Sequence, residues 1–257
     1  MRLFFDIGNT RLKWALDNGG VFERSGGVAH QSFDLSELEA CLNQEGEVQS
    51  VWASSVAASD LQKQLESWVN RFLGQQVNWV AVDAVRSGVR NCYEDLAKLG
   101  VDRWMAVLGA SQFRKTSGDE NSPVIVIDAG TAVTVELLDI DNHYRGGVIL
   151  PGLVLMHDSL VGRTQGIDSV MVDVVGVIGQ NTQQCVNSGV RNGLLGAIER
   201  VIREICELLG CVESDVLLLL TGGDAGFVNE NSNLEFIVLP HLVLNGLVSF
   251  ADDGGKS

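Results

Sequence analysis

The chain has 257 residues, of which 46% are hydrophobic and 20% are charged, a balance typical of a folded globular protein rather than a disordered one. Asp and Glu number 33 against 18 Lys and Arg, which gives a net charge of -15 at pH 7. Such an acidic surface repels nucleic acid and anionic lipid, so we expect neither as a partner. Any site for an anionic ligand must therefore be local.

The sequence also favours a cytoplasmic protein. No apolar run approaches the roughly 18–20 residues that a membrane helix needs, and the apolar N-terminus reaches Asp6 too early for a signal peptide. The five cysteines form no C-x-x-C pair and are odd in number, which favours free thiols in a reducing compartment.

The first half of the chain alternates predicted strands and helices. Short apolar runs bounded by turn residues predict strands, and apolar residues at helical spacing predict helices. In chain order these are strands at 3–7 and 12–16, a helix at 34–43, a strand at 51–54, a helix at 59–73, a strand at 77–82 and a helix at 102–114. The alternation indicates an α/β layer.

The polar segment 115–123 (K-T-S-G-D-E-N-S-P) is the most loop-like stretch and predicts a lobe boundary, with a first lobe at 1–118 and a second at 119–257. Beyond it the opening order returns: a strand at 124–127, an Asp-x-Gly turn, a strand at 133–138, a second turn and a strand at 144–150. A long helix at 183–209 and a strand at 216–220 follow. Short as the repeat is, with chance convergence as the alternative, it predicts an internally duplicated, two-lobed α/β fold.

Two turns carry candidate phosphate-binding residues. Residues 6–13 read D-I-G-N-T-R-L-K: Gly8 lets backbone N–H groups approach an anion, and Asn9 and Thr10 add donors. Asp6 ends a buried strand and suits Mg²⁺, although a plain hairpin turn is the alternative. Residues 128–132 read D-A-G-T-A and repeat the arrangement. Two such turns, one from each lobe, predict a grip on a polyphosphate.

Two further segments offer acid–base and contact chemistry. Residues 100–103 (G-V-D-R) place Asp102 and Arg103 at a helix start, where the carboxylate suits proton transfer and the guanidinium suits an anionic substrate. A helix-capping Asp beside a surface Arg is the alternative. Residues 221–224 (T-G-G-D) follow a strand, and their glycines leave room for a nucleobase or ribose, or simply make a turn. The sequence contains neither a Walker loop nor a protein-kinase H-R-D or D-F-G motif.

In this order the segments D-I-G-N-T, G-V-D-R, D-A-G-T-A and T-G-G-D resemble the ATPase superfamily of actin, hexokinase and the heat-shock chaperones. Adding N-C-Y-E-D-L-A-K-L-G-V-D-R at 91–103, G-G-V-I-L-P-G at 146–152 and Asn181-Thr182 narrows the resemblance to the type III pantothenate kinases. It implies an actin-like (ribonuclease H-like) fold with mixed sheets flanked by helices. It also implies transfer of the ATP γ-phosphoryl group to the primary hydroxyl of pantothenate, the first step of coenzyme A synthesis.

The resemblance further implies a role for each matching residue. ATP phosphates and Mg²⁺ would lie against Asp6, Ile7, Gly8, Asn9, Thr10, Arg11, Leu12 and Lys13, with a further phosphate contact from Thr131. Asp128 would hold a monovalent cation, K⁺ or NH₄⁺. Pantothenate would contact Tyr93, Gly100, Val101, Asp102, Arg103 and Thr182, with Asp102 as the proton acceptor. Family members are typically homodimers with the substrate site near the subunit interface.

Two departures from the family pattern stand out. Leu96 replaces a usual Pro in the loop before Gly100, which removes no functional group. Glu136 replaces a usual Asp and is longer by one methylene, which argues against a cation-related role there. His157 is interpreted as a surface or dimer-contact residue rather than a catalytic one.

Other functions are also compatible with these motifs. A kinase or phosphatase of the same superfamily could act on a sugar, acetate or polyphosphate, although Tyr93 with G-V-D-R points away from these. A non-enzymatic regulator of the same fold is the alternative from a different class. The retained Asp6, Asp102, Asp128 and Thr131 argue against that loss of chemistry, and the acidic charge argues against DNA contact.

Overall fold

The structure is a computed structural model that describes residues 1–30, 33–45, 47–172 and 176–254. Contacts divide the chain into two compact units. The first contains Met1–Glu120, Asp141–Tyr144 and His241–Ser257, and the second contains Asn121–Ile140 and Arg145–Pro240.

The described residues form both strands and helices. The strands are β1 (Arg2–Ile7), β2 (Arg11–Asp17), β3 (Phe22–Ala29), β4 (Ser50–Ser55), β5 (Val77–Trp79), β6 (Val85–Arg86), β7 (Val89–Asn91), β8 (Val124–Ala129), β9 (Ala132–Leu138), β10 (His143–Pro151), β11 (Leu217–Thr221) and β12 (Ile237–Val238). The α-helices are α1 (Ser36–Glu45), α2 (Ser59–Leu73), α3 (Val101–Ser117), α4 (Leu153–Arg163), α5 (Thr182–Leu209), α6 (Ala225–Asn231) and α7 (Leu242–Gly254). Short 3-10 helices occupy Leu96–Lys98 and Glu213–Asp215.

The first unit is built on a mixed sheet with the order β3-β2-β1-β4-β5. β1 pairs antiparallel with β2 and parallel with β4. Because a β-strand is pleated, neighbouring residues of β1 point to opposite faces of the sheet. Leu3, Phe5 and Ile7 share one face and enter a core with residues of α1 and α2, among them Leu38 and Leu65. This face is a continuous apolar layer that fixes the end of β1.

The opposite face of this sheet is covered by α3 and α7. These two helices approach each other closely, because side chains at Gly109 and Gly246 would collide with the carbonyl oxygens of Leu242 and Met105. The C-terminal helix therefore belongs to the first unit. The predicted lobes at 1–118 and 119–257 therefore need one correction. The predicted boundary in the polar segment before β8 agrees with the structure, but after Pro240 the chain returns to the first unit.

The second unit repeats the strand order of the first. Its strands run β12-β11-β8-β9-β10, with β8 antiparallel to β9 and parallel to β11. If the strands of each unit are numbered from 1 to 5 along the chain, the order from β10 to β12 is 3-2-1-4-5. The sheet of the first unit has the same order. The order bears out the predicted duplication. α5 places Val190, Leu194 and Ile198 in the core of this unit, as its apolar stripe predicts.

Most predicted elements agree with the structure to within one to three residues. The helix predicted at 59–73 is α2, and the helix predicted at 183–209 is α5, which begins one residue earlier at Thr182. Within the residues that the structure describes, every helix is too short or too polar to span a lipid bilayer.

Candidate functional site

The turn predicted around Asp6 connects β1 and β2. Asp6 is the last residue but one of β1 and lies opposite Lys13. The Gly8 N–H donates to the Arg11 carbonyl oxygen at 3.0 Å, which closes the turn. Asn9 and Thr10 at the tip are exposed. The turn therefore presents polar groups to solvent directly beside a carboxylate and an ammonium group on the same face of the sheet.

Asp6 itself is nearly buried, with 7% of its surface exposed. The Ser54 hydroxyl donates to Asp6 Oδ1 at 2.9 Å across the parallel β1–β4 register. A carboxylate that is withdrawn from water and oriented by a fixed donor is a suitable oxygen ligand for a hard cation such as Mg²⁺. Sequence reasoning missed Ser54, because its position opposite Asp6 depends on strand register and no local motif marks it.

His241, just before α7, lies on the same side of the first unit as Lys13. Its ring contacts Phe22 edge-on at 5.9 Å between centroids, and its Nε2 lies 3.3 Å from the Ser25 hydroxyl. Burial, and to a smaller extent the charge of Lys13, lower the pKa of His241. The lowered pKa favours the neutral form of this imidazole, and Lys13, whose charge contributes to the shift, is predicted to contact phosphate.

The second predicted turn connects β8 and β9 in the second unit. Gly130 N–H donates to the Ala132 carbonyl at 3.1 Å, and Asp128 stands opposite Thr221 in the parallel β8–β11 pair. A hydroxyl-bearing residue thus occupies the neighbouring parallel strand beside each motif Asp, Ser54 in one unit and Thr221 in the other. The two turns are equivalent in position as well as in sequence.

Two glycines make room around this second turn. A side chain at Gly222 would collide with the Ala129 carbonyl and lie 2.6 Å from Asp128 Oδ1, and Gly222 has a positive φ of 100°. A side chain at Gly152 would collide with the Gly130 carbonyl and lie 2.7 Å from that of Thr131. The T-G-G-D and P-G segments therefore pack directly on the D-A-G-T turn.

Asp224, the last residue of T-G-G-D, is tied to the same turn. Its N–H donates to the Ala129 carbonyl at 2.8 Å, and burial raises the pKa of its carboxyl. The Asp128 carboxylate, against which Gly222 packs closely, offers the hard oxygen donor that an alkali cation takes. The residues present are thus compatible with a cation at Asp128.

The substrate segment predicted at 91–103 converges in the first unit. Asn91 is buried and its Oδ1 accepts the Tyr93 N–H at 3.0 Å, which fixes the turn that carries the Tyr93 ring. The Asp95 carboxylate accepts the Ala97 N–H at 3.1 Å and so caps the 3-10 helix that contains Leu96. This helix forms with Leu at position 96, so the missing Pro does not prevent a turn there.

Arg103 is buried at the start of α3, with 7% of its surface exposed. Its guanidinium carbon lies 5.6 Å from the centre of the Tyr93 ring, and its Nη2 donates to the Tyr144 hydroxyl at 3.2 Å. The sequence also allowed Arg103 to be a surface residue, and its burial shows that this alternative is wrong. The structure brings Tyr93 and Arg103 together and adds Tyr144, which no sequence signal identified.

Asp102 lies next to Arg103 and is half-buried. Its Oδ1 accepts the Arg103 N–H at 2.8 Å and occupies the space that a side chain at Gly100 would fill, where the separation would be 2.6 Å. Gly100 is the residue that precedes the first turn of α3. Its lack of a side chain thus lets the Asp102 carboxylate fold back over the helix start.

Thr182 is the first residue of α5 in the second unit and is exposed. The preceding Asn181 caps the helix, because its Oδ1 accepts the Gln184 N–H at 2.9 Å. Asn181 thus has a structural role, and Thr182 lies on the surface at the first turn of the helix.

His157 and Glu136 are both buried in the second unit. The sequence analysis interpreted His157 as a surface or dimer-contact residue, but only 4% of it is exposed, so the surface interpretation is wrong. Its Nε2 lies 3.3 Å from the Ser169 hydroxyl, to which the Asn187 side-chain amide donates at 3.2 Å. Glu136 is fully buried on β9 beside Gly147, whose missing side chain leaves room for the carboxylate. The longer side chain of Glu136 is therefore accommodated by packing.

Comparison with known proteins decides the family. The family model of the type III pantothenate kinases matches residues 2–204. This chain belongs to that family. A type III pantothenate kinase of Aromatoleum aromaticum is 34% identical over 251 residues, which are 98% of each chain. One of Chromobacterium violaceum is 36% identical over 252 residues, which are 98% of this chain and 100% of the relative.

Solved structures agree on the fold of this pantothenate kinase family member. A Campylobacter jejuni protein assigned to a Baf family of transcriptional activators matches with a TM-score of 0.59 and 18% identity, covering 99% of this chain and 100% of that one. The ethanolamine utilization protein EutJ of Carboxydothermus hydrogenoformans matches with a TM-score of 0.52 and 13% identity, over 98% and 89%. At these identities the likeness concerns the two-lobed actin-like fold, which confirms the predicted fold class.

Proposed function

We propose that this chain transfers the γ-phosphoryl group of ATP to the primary hydroxyl of pantothenate, giving 4'-phosphopantothenate in the cytoplasm. The observation that carries the proposal is the buried Arg103 guanidinium, held by Tyr93 and Tyr144, on the residue whose backbone N–H donates to the Asp102 carboxylate. Pantothenate carries both a carboxylate and a primary hydroxyl. The carboxylate of pantothenate is a group that suits the Arg103 cation, and its hydroxyl is a group that suits Asp102 as a proton acceptor.

The β1–β2 turn supplies the proposed contacts to ATP. Asn9, Thr10 and Arg11 are exposed polar residues at and beside the turn tip, and Lys13 adds positive charge on the face that carries Asp6. In an otherwise acidic protein, this local cluster favours a polyphosphate. Thr131, exposed in the equivalent β8–β9 turn, is proposed as a further phosphate contact.

Asp6 is the proposed ligand of Mg²⁺, directly or through water, because its carboxylate is oriented by Ser54. When bound, Mg²⁺ would neutralise phosphate charge. Asp128 is the proposed site of K⁺ or NH₄⁺, on the grounds of its carboxylate oxygens and of its place in the β8–β9 turn, equivalent to that of Asp6.

Asp102 is the proposed acceptor of the hydroxyl proton. An aspartate carboxylate is ordinarily a weak base, since its pKa in water is about 3.9, but phosphoryl transfer proceeds through a loose transition state in which the nucleophile loses its proton late. An acceptor within reach is then sufficient. Gly100, Val101, Arg103 and Tyr93 of the first unit are the other proposed pantothenate contacts. Thr182 of the second unit is proposed as a pantothenate contact on the family resemblance alone.

We also propose a homodimer, whose interface includes an apolar face of β10 and α4. Ile149, Val154, Leu155 and Leu160 are exposed there, next to an apolar cavity lined by Pro151 and other residues of α4 and α5. Exposed apolar clusters of this kind indicate a protein contact. We expect Leu155→Glu to give a monomer by light scattering, whereas Leu208→Glu, at an exposed leucine of α5, should leave the dimer intact.

The proposed substrate is tested by a product assay. The purified chain is incubated with MgATP and either pantothenate or a panel of sugars and acetate, and the products are identified by mass spectrometry. We expect a mass increase of one phosphoryl group on pantothenate alone. Phosphorylation of a sugar or acetate in preference to pantothenate would contradict the proposal and favour another kinase of the same fold.

A further inference from the structure

Tyr144 connects two segments of the first unit that are distant in sequence. It is fully buried, and its carbonyl oxygen accepts the Cys92 N–H at 3.0 Å. Its ring lies parallel to that of Tyr93, with 6.4 Å between centroids and 3° between planes. One residue thus fixes both the backbone and the ring orientation of the turn that carries Tyr93.

The same residue contacts the first turn of α3. The Tyr144 hydroxyl accepts a hydrogen bond from Arg103 Nη2 at 3.2 Å, and its ring lies 6.1 Å from that of Trp104. The Arg103 guanidinium is consequently held between a hydroxyl group and the face of the Tyr93 ring. A guanidinium with several rotatable bonds reaches one defined position only when neighbours fix it in this way.

We infer that Tyr144 is a positioning residue for pantothenate recognition: it holds Arg103 and Tyr93 in the geometry in which they bind the substrate. The inference rests on the proposed function. Tyr144 is fully buried, so it acts through its two neighbours and does not touch the substrate itself. Its role separates from that of Asp102, which is proposed to face the reacting hydroxyl.

This role predicts a specific kinetic signature. Preorganisation of a binding group lowers the cost of binding, so its loss weakens substrate binding more than it slows the chemical step. The Tyr144→Phe variant keeps the ring and removes only the hydroxyl. We expect the KM for pantothenate to rise about tenfold, equivalent to about 1.4 kcal/mol, while kcat and the KM for ATP change less than about twofold.

The experiment is a steady-state analysis of the full chain with pantothenate and ATP varied separately. Trp79→Phe is the matched control, because it also removes one aromatic hydrogen-bonding group, an indole N–H that donates to Glu66 at 2.8 Å on the exposed surface. We expect all its constants to equal those of the unmodified chain. An unchanged KM for pantothenate in Tyr144→Phe, with the unmodified chain active, would overturn the inference and leave the proposed function standing.

A double-mutant cycle tests whether Tyr144 acts through Arg103. In an Arg103→Lys background, Tyr144→Phe should raise the KM for pantothenate by less than about twofold, because coupled residues show non-additive effects. The same tenfold increase in both backgrounds would contradict action through Arg103. If the unmodified chain does not phosphorylate pantothenate at all, the proposed function itself fails, and the two failures are thereby distinguished.

A measurement on the unaltered fold covers the case in which Tyr144→Phe does not fold. The chain contains two tyrosines, so incorporation of 3-fluorotyrosine gives a fluorine NMR spectrum with two signals, which Tyr93→Phe assigns. Addition of pantothenate should shift the signal of the buried Tyr144 as well as that of Tyr93, whereas glucose should shift neither. A Tyr144 signal that is unaffected at saturating pantothenate would contradict the inference.

Discussion

The hydroxyl of Ser54 donates a hydrogen bond of 2.9 Å to Asp6 Oδ1 inside the first unit. β1 and β4 lie side by side in parallel, so these two residues are opposite each other although 48 positions separate them in sequence. The bond orients a nearly buried carboxylate next to the turn that we propose contacts ATP. Ser54 is therefore part of the candidate site even though it belongs to none of the family motifs.

Ser54→Ala should weaken both the fold and the handling of MgATP. The change removes one donor from a buried carboxylate, and the loss of a hydrogen bond to a charged group costs about 1.5–3 kcal/mol. We expect a lower free energy of unfolding in urea and a severalfold higher KM for MgATP. Ser50→Ala on the same strand is the control, since Ser50 contacts Trp52 at 3.2 Å and not Asp6. An equal KM in both variants would contradict the role of Ser54.

Asp102→Asn should abolish turnover and spare ATP binding. Loss of a general base typically slows a reaction by about 10²–10⁴-fold, and the amide oxygen can still accept the Arg103 N–H that the carboxylate accepts at 2.8 Å. We expect an unchanged melting temperature and a measurable dissociation constant for ATP by calorimetry. Turnover equal to that of the unmodified chain would show that Asp102 is not the proton acceptor.

Gly152→Ala should destabilise the second unit at the D-A-G-T turn. The added methyl group would collide with the Gly130 carbonyl, and overpacking of this kind costs about 1–3 kcal/mol. Gly162→Ala is the matched control, because Gly162 lies within α4 and has open space beside it. Alanine there should instead stabilise the helix by about 0.5–1 kcal/mol. The two melting temperatures should thus move in opposite directions, and a parallel shift would contradict the packing described for Gly152.

His241 should make the stability of the chain pH-dependent in a defined direction. Burial lowers its pKa in the folded state below the unfolded value of about 6.5, so the unfolded state binds the proton more strongly. The full stability is present above that unfolded pKa and is lost as the pH falls through the folded pKa. We expect His241→Gln to reduce the loss of stability between neutral and mildly acidic pH in urea titrations. An unchanged pH profile would show that His241 does not contribute.

The sequence predicts this fold well wherever polar and apolar residues alternate with a clear period. α2 and α5 carry apolar stripes and appear where predicted, and the Asp6 and Asp128 turns connect equivalent strands. α7 is not identified by the sequence analysis, although most of its residues are apolar and buried. Its return to the first unit explains why the predicted lobes needed correction.

The sequence predicts only part of the candidate site, because some of its residues are brought together by strand pairing and not by a local motif. Asp102, Arg103 and Tyr93 lie within one segment and share a recognisable spacing. Ser54 and Tyr144 take their places through strand register and through pairing of β10 with β7, which no local pattern encodes. Gly222 and Gly152 look like ordinary turn residues until the carbonyl groups they accommodate are located.

The most direct test of the proposed function is ADP release by the purified chain with MgATP and K⁺, measured with and without pantothenate. We predict release that depends on pantothenate and that equals the amount of 4'-phosphopantothenate formed. A repeat without K⁺ or NH₄⁺ should be slower if a cation binds at Asp128. Absence of pantothenate-dependent ADP release, with K⁺ present or absent, would contradict the assignment of this chain as a pantothenate kinase.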